Sequence, residues 1–327
     1  MKNLRRISLV LAVAVFATLV FGCSLGKQAG EPAKSPKDVV KEAFDNFYNV
    51  KSGNYDISVK GTATPATATG MSKLAFDANF SGVFDNNDPK VPRFTLAMSG
   101  NGSEEGGSPQ SFAAELRMDN DKLFAILSKF PDLGESFPSA MLTPYMGKWW
   151  SATLPPEMMS QFQLSSSDDD SNLTPEQKEM KDFIKKLEFF DKIKFDGVET
   201  VDGADGYVYS AELSKQAIKS LVEKSAKMQG QDLAPEDSKK FDDFLKNLSF
   251  PAKIYIGASD MTLRKVAGTV ELKPIDTGAS FIMDSSFSVT GLNQPITIES
   301  PANAQPFDFA GLFGGPAMSP EMMESVE

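Results

Sequence analysis

The sequence predicts an α+β fold: one large antiparallel sheet with an apolar and a polar face, and amphipathic helices gathered on the apolar side. Three observations carry this. Through most of the 327-residue chain apolar and polar residues alternate at period two, in runs broken by short turns, the pattern of strands with one face in water. Four further segments change to a period near 3.6 and open at capping residues. Cys23 is the single cysteine, so no internal disulfide is available, and stability must come from a core that a chain of this length can bury.

The first element is a leader. Lys2, Arg5 and Arg6 precede an apolar stretch from Ile7 to Phe21, the layout of an export signal and short for a membrane span. Val20-Phe21-Gly22-Cys23 resembles a bacterial lipobox. That resemblance implies cleavage after residue 22 and a diacylglyceryl thioether on Cys23, a palmitate-class anchor. Each buried acyl methylene contributes about 0.8 kcal/mol, and two chains hold where one barely does. An uncleaved anchor helix is the alternative; both readings place residues 24–327 outside the cytoplasm. Residues 1–22 are thus the signal peptide. Residues 23–35, the lipidated cysteine and a polar Gly- and Pro-containing stretch, form a flexible tether.

The folded domain spans 36–305. Ser35 caps a helix with Pro36 first and Val40, Ala43, Phe44 and Phe47 on one face, which Gly53 would stop. From Asn54 the period becomes two: Tyr55, Ile57, Val59; Phe76, Ala78, Phe80, Phe84; Phe94, Leu96, Met98; Phe112, Ala114, Leu116, Met118; Phe124 and Ile126. Turn clusters such as Asp85-Asn86-Asn87-Asp88-Pro89 separate them. Trp149-Trp150 begins another strand. Thr174-Pro175-Glu176-Gln177 opens a second helix with Met180, Phe183, Ile184 and Leu187 on one face. A short strand at 198–201, the turn Asp202-Gly203 and a strand with Tyr207 and Tyr209 lead to helices at 214–229 and 235–248. The close is strand again, at Ile254–Ala258, Val266–Leu272, Met283–Val289 and Ile296–Ile298, before a loose tail at 306–327. This makes about eleven strands. A sheet so wide, covered on one face, curls.

Composition excludes several functions. Without residues 1–22, 30 basic residues face 44 acidic ones, a net charge of −14. Phosphate backbones and anionic headgroups repel such a chain, so nucleic acid is not a partner and the membrane is held through lipid. There is no histidine, which removes Ser-His-Asp catalysis, imidazole zinc sites and a switch near neutral pH. Gly-x-Ser-x-Gly is absent too. No enzyme activity, cofactor or metal is expected. Asp168, Asp170, Asn172, Thr174, Glu176 and Glu179 follow calcium-loop spacing, but Leu173 stands where the turn needs glycine; an acidic loop entering a capped helix explains them.

Late segments carry a resemblance. Phe250-Pro251-Ala252-Lys253-Ile254-Tyr255-Ile256, followed by Ser259-Asp260-Met261-Thr262-Leu263-Arg264-Lys265-Val266, is similar to the Asp-containing hairpin of the LppX and LprG lipoproteins, within the LolA-like superfamily of lipoprotein and lipid carriers. Val198–Tyr209 and Ile296–Ala304 are similar to other parts of that group. The resemblance implies a half-barrel whose concave face, lidded by helices, holds acyl chains. Phe76, Phe80, Leu96, Leu116, Trp149, Phe183, Leu221, Leu245 and Ile256 are the candidate cavity lining. The function implied is a lipid-anchored, extracytoplasmic binder or carrier of hydrophobic ligands, on the outer membrane where two membranes exist and otherwise on the outer face of the cytoplasmic membrane. The alternative is an envelope interaction or sensing lipoprotein of the same fold with a filled core and a protein partner.

Cys23→Ser tests the anchor. It should release the protein into the soluble fraction or leave an uncleaved precursor, with the domain still folded, as read by fractionation and intact mass. Membrane-bound variant cleaved at residue 22 is the contrary result.

Overall fold

The computed structural model describes residues 21–22, 32–65, 72–88, 91, 93–131, 142–154, 174–228, 230, 234–273 and 278–307. Cys23, the tail and the acidic stretch 168–173 lie outside them. Helix α1 (Pro36–Phe47) forms as its cap dictates, with the Ser35 hydroxyl oxygen accepting from the Asp38 amide. It ends well before Gly53, because the strand starts at Ser52. Strands β1 (Ser52–Thr64), β2 (Leu74–Asp85), β3 (Arg93–Glu104), β4 (Gln110–Asp119), β5 (Lys122–Lys129) and β6 (Trp149–Thr153) make a meander. Helix α2 (Pro175–Lys186) precedes the hairpin β7 (Phe190–Val201) and β8 (Ala204–Leu213), whose turn residues Asp202 and Gly203 have φ of 54° and 78°, as an Asp-Gly turn requires. Helices α3 (Lys215–Met228) and α4 (Pro235–Asn247) and strands β9 (Pro251–Gly257), β10 (Leu263–Leu272) and β11 (Ser280–Thr290) follow.

The strands form one open, curved sheet in the order β6-β5-β4-β3-β2-β1-β11-β10-β9-β8-β7. These neighbours are antiparallel; the two-residue strand Gln305–Pro306 joins β6 in parallel, so the sheet is mixed. Separately, Phe21–Gly22 pairs in parallel with Tyr48–Asn49. The expected short strand at 198–201 is the end of twelve-residue β7. Ile296–Ile298, expected as a strand, is not one. After Gly291 the chain straps across the polar face, where Ile298 and Glu299 carbonyls accept from Arg93 (3.2 Å) and Arg117 (2.9 Å). Side chains, in place of a neighbouring strand, satisfy that backbone.

Register fixes the faces. Ile57, Phe80, Met98 and Ala114 form one cross-strand row on the inner face. On the opposite face Asn79 donates to Asp56, Asn101 to Asp77, and Thr269 to Asp284, polar pairs that suit a solvated surface. Two inner glycines admit neighbouring backbone. A Cβ on Gly82 would lie 1.9 Å from the Thr95 carbonyl oxygen, and one on Gly61 2.3 Å from that of Ile282. Tyr55 reaches over Gly82 to donate to the same Thr95 oxygen at 2.8 Å, coiling the sheet there.

Helix α1 supplies the principal core. Its Val39, Val40, Ala43 and Phe47 pack with Tyr209, Ile254, Ile256, Leu263 and Val289. Phe47 meets Phe287 edge to face at 5.9 Å. Asn46 donates to the Met261 carbonyl at 3.0 Å, and the same turn is closed by the half-buried Arg264–Asp260 pair. A second cluster joins Val222 of α3 and Phe241 and Leu245 of α4 to Leu248, with Val270 and Phe281 beneath.

Gly82→Ala therefore forces backbone apart. We expect a loss of roughly 1–3 kcal/mol or more, the cost of overpacking, read as a lower urea midpoint at unchanged slope.

Candidate functional site

The inner face divides in two. Beneath α1, Ile254, Ile256 and Leu263 are completely buried. Across β2, β3 and β4, the inner-face residues Phe76, Phe80, Leu96, Met98 and Leu116 are only half-buried. Helix contacts explain the difference. Helix α1 lies on β7, β9 and β10, and α4 on β10, so among the described residues the more extensive helix contacts fall away from this apolar stretch. Phe76 sits between Gly61 and Gly102, two positions without side chains, and Leu96 lies beside Leu116.

The candidate lining residues separate accordingly. Phe76, Phe80, Leu96 and Leu116 share this half-buried face. Ile256 belongs to the filled core under α1, Leu245 to the cluster of α3 and α4, and Leu221 is buried on α3. Phe183 is half-buried on α2, with the Lys224 ammonium 6.0 Å from its ring centre. Trp149 points to the opposite face. It pairs with Ile126 in β5, and the Arg117 guanidinium lies 4.7 Å from its ring centre. Its neighbour Trp150 takes the inner side opposite Ala125, donates to the Tyr145 carbonyl at 3.0 Å, and packs with Tyr145 and Phe307. The run Leu123-Phe124-Ala125-Ile126-Leu127 is apolar on both faces because the strap covers the outer one, and Phe124 is 5% exposed. Such a run signals a strand buried on both sides.

Sequence reasoning missed Tyr48. It continues the α1 stripe Val40-Phe44 by one more turn, bringing a polar tip to an apolar seam. There it lines a cavity of about 50 Å³ between α1, the end of α2 and the start of β7. Its hydroxyl is the buried side-chain polar atom without a hydrogen-bond partner among the described residues. Such a group costs about 1–3 kcal/mol. Burial, with a smaller contribution from Asp45, pushes its pKa up to about 12, so it is a neutral donor at ordinary pH. Lys37–Glu188 (2.7 Å) and Lys41–Asp45 (2.5 Å) stand at the rim. A larger groove of about 370 Å³ opens at the glycine row, lined by Lys60, Thr62, Asp77, Asn101 and Asp284 of the polar face together with Phe76 and Ile282. No cluster of potential metal ligands occurs among the described residues.

No protein-family model matches the chain. Over 104 residues it is 35% identical to the lipoarabinomannan carrier protein LprG of Mycobacterium tuberculosis, and equally to that of Mycobacterium bovis. The match takes in 26% of this chain and 44% of the relative, so the chain spans less than half the length of the curated relatives it matches. Among solved structures, LprF from Mycobacterium bovis is 12% identical, covers 83% of this chain and 99% of its own, and has a TM-score of 0.39. LppX from Mycobacterium tuberculosis is 13% identical over 83% and 100% of the two chains, with a TM-score of 0.28.

The raised Tyr48 pKa predicts a pH dependence. Burial raises Tyr55 as well. The native state keeps protons that the unfolded chain gives up from about pH 10, so their contribution is complete below pH 10 and is lost as pH rises toward the folded values. Tyr48→Phe should leave stability at pH 8 unchanged or higher and reduce the fall between pH 9 and 11, measured by chemical unfolding.

Proposed function

We propose that this chain, which resembles the LppX and LprG lipoproteins, is a lipid-anchored extracytoplasmic protein that binds or carries acyl-chain ligands against the inner face of its sheet. In this reading Cys23 carries the lipid and residues 24–35 are the tether. The observation that supports it best is the contrast within one apolar face, completely buried at Ile254 and Ile256 but half-buried from Phe76 to Leu116. A protein stabilised by its core alone gains by burying such residues, at about 25 cal/mol per Å². Leaving this stretch accessible fits a ligand that completes the burial, as apolar ligand sites do. The carrier named among the relatives points the same way. Binding is the whole of the activity, without a chemical step, which agrees with the lack of histidine.

The filled packing beneath α1 favours a second reading for that half, an envelope interaction or sensing lipoprotein with a protein partner. Native mass spectrometry of the mature chain separates the two: co-purifying lipid supports the carrier, and its consistent absence supports the partner protein. Leu96→Trp should reduce bound lipid several-fold with little loss of stability, since Leu96 is half-buried. Leu245→Trp, at a position 4% exposed, should cost roughly 1–3 kcal/mol. Equal lipid loading in wild type and Leu96→Trp would count against the trough.

A further inference from the structure

Sheet register makes the half-buried stretch continuous with the place where the described residues end. Leu96 pairs with Leu116, Leu116 with Ala125 and Ala125 with Trp150, so one inner-face row runs from the stretch to β6. Gln305–Pro306 lies along that strand, opposite Trp150 and Ser151. Phe307 follows, its amide donating to the Ser151 carbonyl at 2.7 Å. Its ring meets Trp150 at 5.9 Å and Tyr145 at 6.1 Å, both edge to face. Trp150 is on the inner side, and so therefore is Phe307. The row is uneven: Ala125 stands between Trp150 and Leu116, and diagonal to it Ala114 stands between Met98 and Leu127. Two small side chains among large ones leave a hollow beside the three aromatic rings.

The sequence that follows Phe307 has the chemistry of this face. From Phe309 to Pro320 twelve successive residues carry no charge, and Phe309, Leu312, Phe313 and Met318 stand among them. One aromatic side chain can bury roughly 150–250 Å². Reach is sufficient as well. Three strand spacings of about 4.8 Å separate β6 from β3, whereas the six residues 308–313 span about 20 Å when extended. Gly311 and the pair Gly314-Gly315 allow the chain to turn inward. A segment tethered at the rim meets the face at roughly millimolar effective concentration, an advantage that a separate partner of the same chemistry lacks.

We propose that the segment 309–318 is an internal occupant of the half-buried stretch: Phe309, Leu312 and Phe313 lie over Ala125, Leu116 and Leu96 while no ligand is bound, and an acyl chain takes their place. The displacement rests on the carrier reading; the seating does not. An apolar face left bare invites association between copies, and an occupant supplied by the same chain covers it until a ligand arrives. The same occupant lowers the apparent affinity for a ligand by the fraction of time that the face is open.

Two measurements test this on the full chain with Cys23→Ser, which has no other thiol. In the first, Leu312→Cys is combined either with Leu96→Cys on the inner face or with Ala97→Cys, its exposed neighbour on the outer face, and disulfide formation under mild oxidant is followed by intact mass. The Leu96 pair should give a monomeric crosslink and the Ala97 pair none, because a disulfide needs Cα atoms within about 7 Å. In the second, affinity for cis-parinaric acid, a fluorescent fatty acid, is compared among the full chain, a chain ending at Phe307, and a full-length variant with Phe309→Ser, Leu312→Ser and Phe313→Ser. Both variants should bind about tenfold more tightly, the factor for a face open one tenth of the time, and the probe should slow the Leu96 crosslink. The triple variant decides the matter should the shortened chain fail to fold. No crosslink at Leu96, equal crosslinking at Ala97, a product of dimer mass, or unchanged affinity in the folded variants overturns the internal occupant and leaves the carrier standing. A Leu96 crosslink in a chain that never binds the probe, with or without the segment, overturns the carrier and the displacement together.

Discussion

The antiparallel pairing of β1 with β11, from Asn54 opposite Thr290 to Thr64 opposite Ser280, is the contact on which the rest of the architecture depends. Without it the chain is two meanders: β1 to β6, whose strands follow one another in sequence, and β7 to β11 with their helices. Ser58 and Ser286, bonded across this seam at 2.8 Å, are 228 residues apart. Closing so long a loop is costly in entropy, and a continuous ladder with apolar Ile57 against Phe287 on the inner side offsets it. The seam also carries the strap. The Ser52 carbonyl accepts from the Asn293 amide, and the Ser52 hydroxyl donates to the Gln294 carbonyl, both at 2.8 Å. The strap thus begins where the two halves meet.

From that pairing follows the unequal use of one apolar face. Helix α1 precedes β1 by a short connection and packs across the neighbouring half of the sheet, over β7, β9 and β10. Burying Phe47 and Val40 there contributes about 1.5–3 kcal/mol for each large side chain. Helices α3 and α4 lie between β8 and β9 in sequence, so they settle on the neighbouring strands β10 and β11 through Val270 and Phe281. The opposite end of the sheet, with Phe76, Phe80 and Leu96, lies beyond these packing clusters. Connectivity therefore places the half-buried stretch, and the ligand reading rests on that placement.

The polar face and the edges keep this wide sheet single. Edge strand β7 has φ of 53° at Lys192 and 136° at Gly197, and register shifts against β8. Irregular backbone and charges at Asp191, Lys192, Lys194 and Asp196 disfavour a further strand. At the other end Gln305–Pro306 occupies the edge of β6. Arg93 ties the strap to the sheet, bonding Asp119 at 3.0 Å and Asp85 at 3.3 Å while holding the Ile298 carbonyl.

By itself the sequence determined what depends on near neighbours along the chain: the capped helix α1, the Asp202-Gly203 turn, the alternation that sets Phe76 and Phe80 against Asp77 and Asn79, and the one-faced sheet of many strands. Each is a matter of backbone preference or period, and each reads locally. The tertiary structure decided the rest. Trp149 and Trp150 are adjacent and chemically alike, and only pairing with Ile126 and Ala125 assigns them to opposite faces. Ile296 and Ile298 alternate as a strand does, yet arginines on β3 and β4 make them a strap. Ile256, Leu221 and Leu245 looked like Phe76 in sequence, being apolar residues on amphipathic elements, but helices fill the space around them. Tyr48 lines a small space because the end of α2 and the start of β7 close over it, and its buried hydroxyl has no partner among the described residues. Burial and hydrogen-bond satisfaction belong to the packed molecule, since they are set by groups far away in the chain.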